Sequence, residues 1–265
     1  MRRSTGPLFA SLILLGSGCA GFGVPKASLA KRGVSRLALT LNTSGVCPGH
    51  RARLSVVAIT RGGERFLTQD KPGGTASWGN FDVSMRGGVV SPGGEIQLAG
   101  DPRRTHRRPA EVEVRLIHNP RVRASLKVPV RYDCHYKAWF RGRTGRPGRS
   151  ASPSRTKALA GGRGAAGHTI RVWVDMVPHG DGPALIRVRM RSQDGRRGGL
   201  FYTSPGGSVL IDVSGGRGGR GGNGRVGAPG GRGGDGGHVQ VTLAPAANKY
   251  RSILRVVARG GPVCP

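Results

Sequence analysis

From residue 215 onward a glycine stands at every third position without a break: Gly215, Gly218, Gly221, Gly224, Gly227, Gly230, Gly233 and Gly236. The triplets read GGR GGR GGN GRV GAP GGR GGD GGH, and most carry a second glycine. A period of three suits an extended threefold helix of the polyproline II type. Collagen shares that period but needs proline to preset the helix, and Pro229 is the only proline in the run. The expected element is therefore a polyglycine-like helix with two bare backbone faces, suited to packing against other backbones. Drawn out straight at about 3.1 Å per residue it would span roughly 74 Å, against a domain diameter of roughly 35 Å. It must fold back, and RVGAP (Arg225 to Pro229), where the double-glycine pattern lapses, is the expected turn. Side chains would then project as Arg217, Arg220 and Asn223 on one arm and Arg232, Asp235 and His238 on the other.

Ordering so many glycines is entropically costly, so hydrogen bonds and a flanking sheet must offset it. Otherwise the tract is a flexible loop between the strands GSVLIDVS and HVQVTLA. An internal repeat bears on this choice. GGRGAAGHTIRVWV (161–174) aligns without a gap on GGRGGDGGHVQVTL (230–243). Gly161, Gly164 and Gly167 match Gly230, Gly233 and Gly236, while Ile170, Val172 and Val174 match Val239, Val241 and Leu243. Each glycine run feeds a strand in the same register.

The remainder reads as all-β. RLALTLN, ARLSVVAIT, GNFDVSM, GEIQLA, AEVEVRLIH and ASLKVPVRYDC alternate apolar and polar residues between glycine, proline and asparagine turns. Residues 35–140 are expected to form an immunoglobulin-like β-sandwich. Residues 141–168, rich in glycine, arginine, proline and serine, read as a linker. A β-rich domain over 169–265 then carries TIRVWVDMV, ALIRVRMRS, GSVLIDVS, HVQVTLA and SILRVVARG around the tract 215–238.

The opening MRRSTGPLFASLILLGSGCAG has a basic start and an apolar stretch too short to remain as a spanning helix, the pattern of an export signal over 1–18. Small residues lead into Cys19, the order of a bacterial lipobox, and 19–34 read as a tether. Ordinary cleavage, giving a secreted protein, is the alternative. Alternation in SLKVPVRYDC turns Cys134 inward, and Cys47, in the loop TSGVCPGH, is its natural partner in an oxidising compartment. Two separate buried thiols remain the other possibility. A bridge across so long a loop would contribute roughly 4–5 kcal/mol on the chain-entropy model.

The lipobox-like start, the CPG loop, the YDC strand, the glycine triplets and the ending SILRVVARGGP together resemble an uncharacterised group of glycine-rich exported lipoproteins of myxobacteria and related bacteria. Members of that group tend to have longer triplet runs in the region matching 141–168. The resemblance implies an envelope location and brings no activity with it. Ala20 after the cysteine resembles outer-membrane sorting patterns.

Lysine and arginine number 43 against 13 acids, a formal charge of +30. That balance favours polyanionic neighbours, although arginine, glycine and alanine are also what a GC-rich genome supplies. Two features could bind phosphate or carboxylate through arginine forks. DPRRTHRRP groups Arg103, Arg104, Arg107 and Arg108, and IRVRMRS alternates Arg187, Arg189 and Arg191 along one strand face. Each also reads, in the plainer way, as a solvated surface. No CxxC, HExxH, nucleophile elbow or phosphate-loop ending is present, so no enzyme, metal or cofactor is expected. The leading expectation is a non-enzymatic envelope lipoprotein with a structural or adhesive role. The alternative is a module for acidic polysaccharide, lipopolysaccharide or extracellular DNA.

Overall fold

Apolar residues at every second position build the strands of a first body, in a computed structural model that describes residues 28–68, 74–104, 109–152, 157–180, 182–224 and 227–264. Its strands are β1 (Val34–Leu41), β2 (Arg51–Thr60), β3 (Arg65–Leu67), β4 (Phe81–Arg86), β5 (Gly88–Val90), β6 (Glu95–Leu98), β7 (Glu111–Leu116) and β8 (Asn119–Lys127). One sheet runs β1-β2-β6-β5 with β3 on β2, and the other runs β4-β7-β8. Leu54, Val56, Ile96, Val112 and Val114 from the two sheets share one core. Gly94 is needed there: its φ is +77°, and a Cβ would overlap the Trp78 ring.

The second body holds β9 (His135–Trp139), β10 (Ile170–His179), β11 (Gly182–Ser192), β12 (Gly198–Thr203), β13 (Ser208–Asp212), β14 (Val239–Leu243) and β15 (Leu254–Val257). A three-stranded parallel sheet, β15-β13-β9, faces a four-stranded sheet, β12-β11-β10-β14. Ile170, Val172, Ile186, Val188, Val209 and Ile211 fill the space between. A 3-10 segment, Pro245–Ile253, carries the chain from β14 back to β15.

The first body ends earlier than the expected boundary at 140. Inward–outward alternation continues from 122 to 140, but Val128 joins the first core whereas Cys134, Tyr136 and Ala138 join the second. Alternation records that a side chain points inward and is silent about which core receives it. The loop before β2 bridges the two bodies. Cys47 is disulfide-bonded to Cys134, and His50 stacks edge-on against Tyr136 with ring centroids 5.0 Å apart. Burial pushes the Tyr136 hydroxyl well above the usual phenol range, and it lies 3.1 Å from the Tyr202 carbonyl and 3.3 Å from that of Pro48.

Beyond the sheets, the chain forms five extended glycine-rich arms: A (141–151), B (159–168), C (214–223), D (228–238) and E (258–264). Arms A, C and E continue β9, β13 and β15, and arms B and D lead into β10 and β14. Each sheet thus runs on into a layer of arms. Bonds recur every third residue. The amides of Gly142, Gly145 and Gly148 donate to the carbonyls of Ser214, Arg217 and Arg220, and those of Gly161, Gly164 and Gly167 to Pro229, Arg232 and Asp235. Between layers the arms are antiparallel. Gly216 and Gly219 donate to Ala165 and Gly162, and Gly231 and Gly234 to Gly219 and Gly216. Arm E joins through Gly215 to Arg259, Gly218 to Pro262 and Gly261 to Gly234. No glycine of the arms has a positive φ. A three-residue repeat without internal bonds is that of a polyproline II helix.

The segment 141–168, expected to be a linker, therefore supplies arms A and B. The number of glycine rows follows the number of neighbours. In arm C, a Cβ on Gly216 or Gly219 would overlap carbonyls of arm A, and one on Gly215 or Gly218 would overlap carbonyls of arm D. Arm A lies at an edge, and Gly142, Gly145 and Gly148 form its single glycine row, directed at arm B. Its other two rows carry exposed Arg143, Arg146, Arg149, Thr144, Pro147 and Ser150, which is why its composition resembles a linker.

Candidate functional site

The arms fix the outward side chains as expected for the tract: Arg217, Arg220, Asn223, Arg232, Asp235 and His238 are all exposed. Gly215, Gly218 and Gly221 belong to arm C and Gly230, Gly233 and Gly236 to arm D, while Gly224 and Gly227 flank the reversal. Arg225 and Val226, at the expected turn, lie outside the described residues. Asp235 pairs with Arg163 of arm B at 2.7 Å, and with both groups largely exposed the pair adds little stability. At the junction of sheet and arm, Arg141 lies 4.4 Å above the Trp139 ring and binds Asp212 at 2.5 Å. Burial raises the Asp212 carboxyl, but the Arg141 guanidinium and the Ser214 amide more than offset this and hold it below the usual carboxylate range.

The second surface is the outer face of the four-stranded sheet. Alternation in β10 sends Ile170, Val172 and Val174 inward and Arg171, Trp173 and Asp175 outward. Antiparallel pairing places these opposite Arg191, Arg189 and Arg187 of β11. With β12 and β14 the face has three rows: Gln240, Arg171, Arg191 and Gly198; then Thr242, Trp173, Arg189 and Leu200; then Asp175, Arg187 and Tyr202.

The three arginines of β11 are not equivalent. Arg187 grips both oxygens of Asp175, Nε at 2.8 Å and a terminal nitrogen at 2.5 Å. That bond holds the Asp175 carboxyl below its usual range and raises the guanidinium further. Arg189 lies 3.6 Å from the same carboxylate and is half exposed. Arg191 is exposed and faces Arg171, and no acid stands in their row. Beside them, Trp173, Arg189, Met190, Arg191, Gly199 and Leu200 line a shallow depression of about 470 Å³.

Sequence reasoning singled out the β11 arginines and missed Arg171, Trp173 and Asp175. The signal was available, because TIRVWVDMV alternates in the same way and one hairpin joins it to β11. Arg103 and Arg104 lie in a short 3-10 turn of the first body, Pro102–Arg104, with Arg104 exposed, so the two arginine features belong to different bodies. Arg107 and Arg108 lie outside the described residues, as does Cys19. Cys264 is a buried free thiol at the end of arm E. Among the described residues no three potential ligands gather to hold a metal, and no helix is long and apolar enough to cross a membrane. No family model, curated protein or solved structure matches the chain.

Proposed function

We propose that the protein is a non-enzymatic, lipid-anchored envelope component with a structural or adhesive role, attached through Cys19 and sorted to the outer membrane. The observation that carries this reading is the continuation of both sheets of the second body into a two-layer bundle of glycine arms. Interarm bonds at every third residue make it a stiff element that carries its outward side chains at fixed intervals. The disulfide between Cys47 and Cys134 ties that element to the first body and suits an oxidising compartment. In the first body the sheets β1-β2-β6-β5 and β4-β7-β8 follow the A-B-E-D and C-F-G order of immunoglobulin constant-type domains, with β3 as an addition, which supports an immunoglobulin-like sandwich. The bridge joins a loop to the second body and so differs from the inter-sheet disulfide of antibody domains.

Intact-mass measurement on protein extracted from native membranes tests the reading. A diacyl or triacyl mass starting at Cys19 is expected. A lipid-free mature chain would overturn the anchor and leave a secreted protein.

A second reading, a polyanion-binding module, is favoured by the exposed arginines that the bundle holds in rows, Arg143, Arg146 and Arg149 on arm A and Arg217 and Arg220 on arm C. Acidic polysaccharide, lipopolysaccharide and extracellular DNA are its candidate partners. Its affinity should fall steeply with salt, and salt-independent binding would exclude it.

A further inference from the structure

We infer that the depression beside Trp173 is a binding site for the acidic sugar units of a polysaccharide, with Arg171 and Arg191 taking the carboxylate and the indole taking the ring. The inference rests on the polyanion-binding reading and assigns it a place and a ligand class.

Three observations converge there. Arg171 and Arg191 are directly opposed across β10 and β11, and like charges in that position destabilise a sheet. Their row contains no acid, since Gln240 and Gly198 complete it. Two rows away the same sheet does supply a counter-ion, Asp175, which engages Arg187 and approaches Arg189. The fold therefore neutralises one end of the arginine ladder and, among the described residues, gives the other no acid partner. An arriving carboxylate relieves that repulsion and gains charge-assisted bonds from guanidinium forks.

Trp173 lies between these two ends, its row about 6.6 Å from each at the rise of a strand. It is partly exposed and lines the depression together with Leu200, which is 44% exposed. Apolar surface beside unpaired cations fits a ligand with one ring face of C–H groups and an acid at its edge. On the far side, Gly198 and Gly199 of β12 leave the rim free of side chains, and β12 is the edge strand of its sheet, paired there with β11, so a longer chain can run past it. A single indole with one arginine pair fits a sugar acid better than a nucleic acid strand, whose sequence-tolerant binders use successive stacking platforms along a basic groove.

The test is a titration of the full chain carrying Trp139→Phe, which removes the most exposed of the three indoles, followed by tryptophan fluorescence. The probes are a galacturonic acid tetramer, a neutral glucose tetramer and a twenty-base single-stranded oligonucleotide. The acidic tetramer is expected to bind with a fluorescence change and the neutral one is not. Arg191→Gln should weaken binding at least tenfold while raising the thermal midpoint, because it removes a repulsion; a merely structural arginine would lower the midpoint. Trp173→Phe should weaken binding and remove the fluorescence change. Arg36→Gln, Arg61→Gln and Arg121→Gln combined, exposed arginines of the first body, should leave the tetramer affinity within twofold. If a long polyuronate binds at low salt but neither Arg191→Gln nor Trp173→Phe alters tetramer binding, the site is wrong and the polyanion reading stands. If neither polymer nor tetramer binds at low salt, both fall. Preference for the oligonucleotide overturns the ligand class.

Discussion

Arg187 holds Asp175 through both carboxylate oxygens across the β10–β11 hairpin, with each side chain less than a third exposed. The pair lowers the folded-state pKa of Asp175, so its stabilisation is fully present above the unfolded value of about 4 and is lost as pH falls through the lower folded value. Asp175→Asn should cost about 1.5–3 kcal/mol at neutral pH, the range for a hydrogen bond to a charged group. The difference between the two proteins in urea denaturation should shrink as the pH drops below about 4. A difference that stayed constant down to pH 2 would show that the ion pair is not its source.

Glycine substitutions should follow the arm positions. Gly216→Ala drives a methyl group into the Arg143 carbonyl, and overpacking of that kind costs about 1–3 kcal/mol. Gly227, at the reversal, has no atom of the described residues beyond its chain neighbours within 4 Å of an added Cβ, so Gly227→Ala should be neutral or stabilise by about 0.4–1 kcal/mol through the unfolded chain. Equal effects at the two positions in chemical denaturation would contradict the bundle.

Amide exchange reads the same architecture without substitution. The amides of Gly145, Gly148, Gly164, Gly216, Gly219, Gly231 and Gly234 donate to neighbouring arms and should exchange slowly. The amides of Gly62 and Gly93, in turns of the first body, are the reference for fast exchange. Fast exchange throughout arms C and D would show that they are a flexible loop.

Reducing the bridge, or replacing Cys47 and Cys134 by serine, should lower the thermal midpoint. The bond closes a sequence separation of 87 residues, for which chain entropy gives about 4–5 kcal/mol as an upper figure. Scans with and without reductant, compared with the double serine variant, check this. An unchanged midpoint would mean that the two bodies do not depend on their covalent tie.

The sequence carried much of the bundle's geometry and little of its extent. The gapless match of 161–174 to 230–243 corresponds to adjacent parallel arms, and Ile170, Val172 and Val174 pair with Val239, Val241 and Leu243 in that register. Periodicity was informative because a bare face is needed wherever another backbone approaches. Arm A escaped notice because an edge helix needs only one bare face, and Arg143, Pro147 and Ser150 on its free sides make 141–151 look like a connector. The strand face was half legible for a different reason. Arg187, Arg189 and Arg191 are visible in one segment, whereas the carboxylate that engages Arg187 and the indole beside Arg189 come from the neighbouring strand through pairing. The expected 35–140 boundary failed because β9 keeps the alternation of β8 while changing partners, and β13, which it joins, comes some seventy residues later.

The bonding pattern of the arms also constrains how the chain reaches its native state. Within each layer Gly142 bonds Ser214, Gly161 bonds Pro229 and Gly215 bonds Arg259, so the contacts that hold an arm to its layer are far from local. Loop closure must precede the reward, and an isolated glycine arm has no internal bonds with which to nucleate. The second body should therefore fold slowly, in the manner of high contact-order β-proteins. Its two sheets would then serve as templates on which the arms zip outward from β9, β13 and β15. Until they do, glycine-rich backbone with unpaired donors remains exposed, which makes the interval before zipping the period in which the protein is most open to association with other copies of itself.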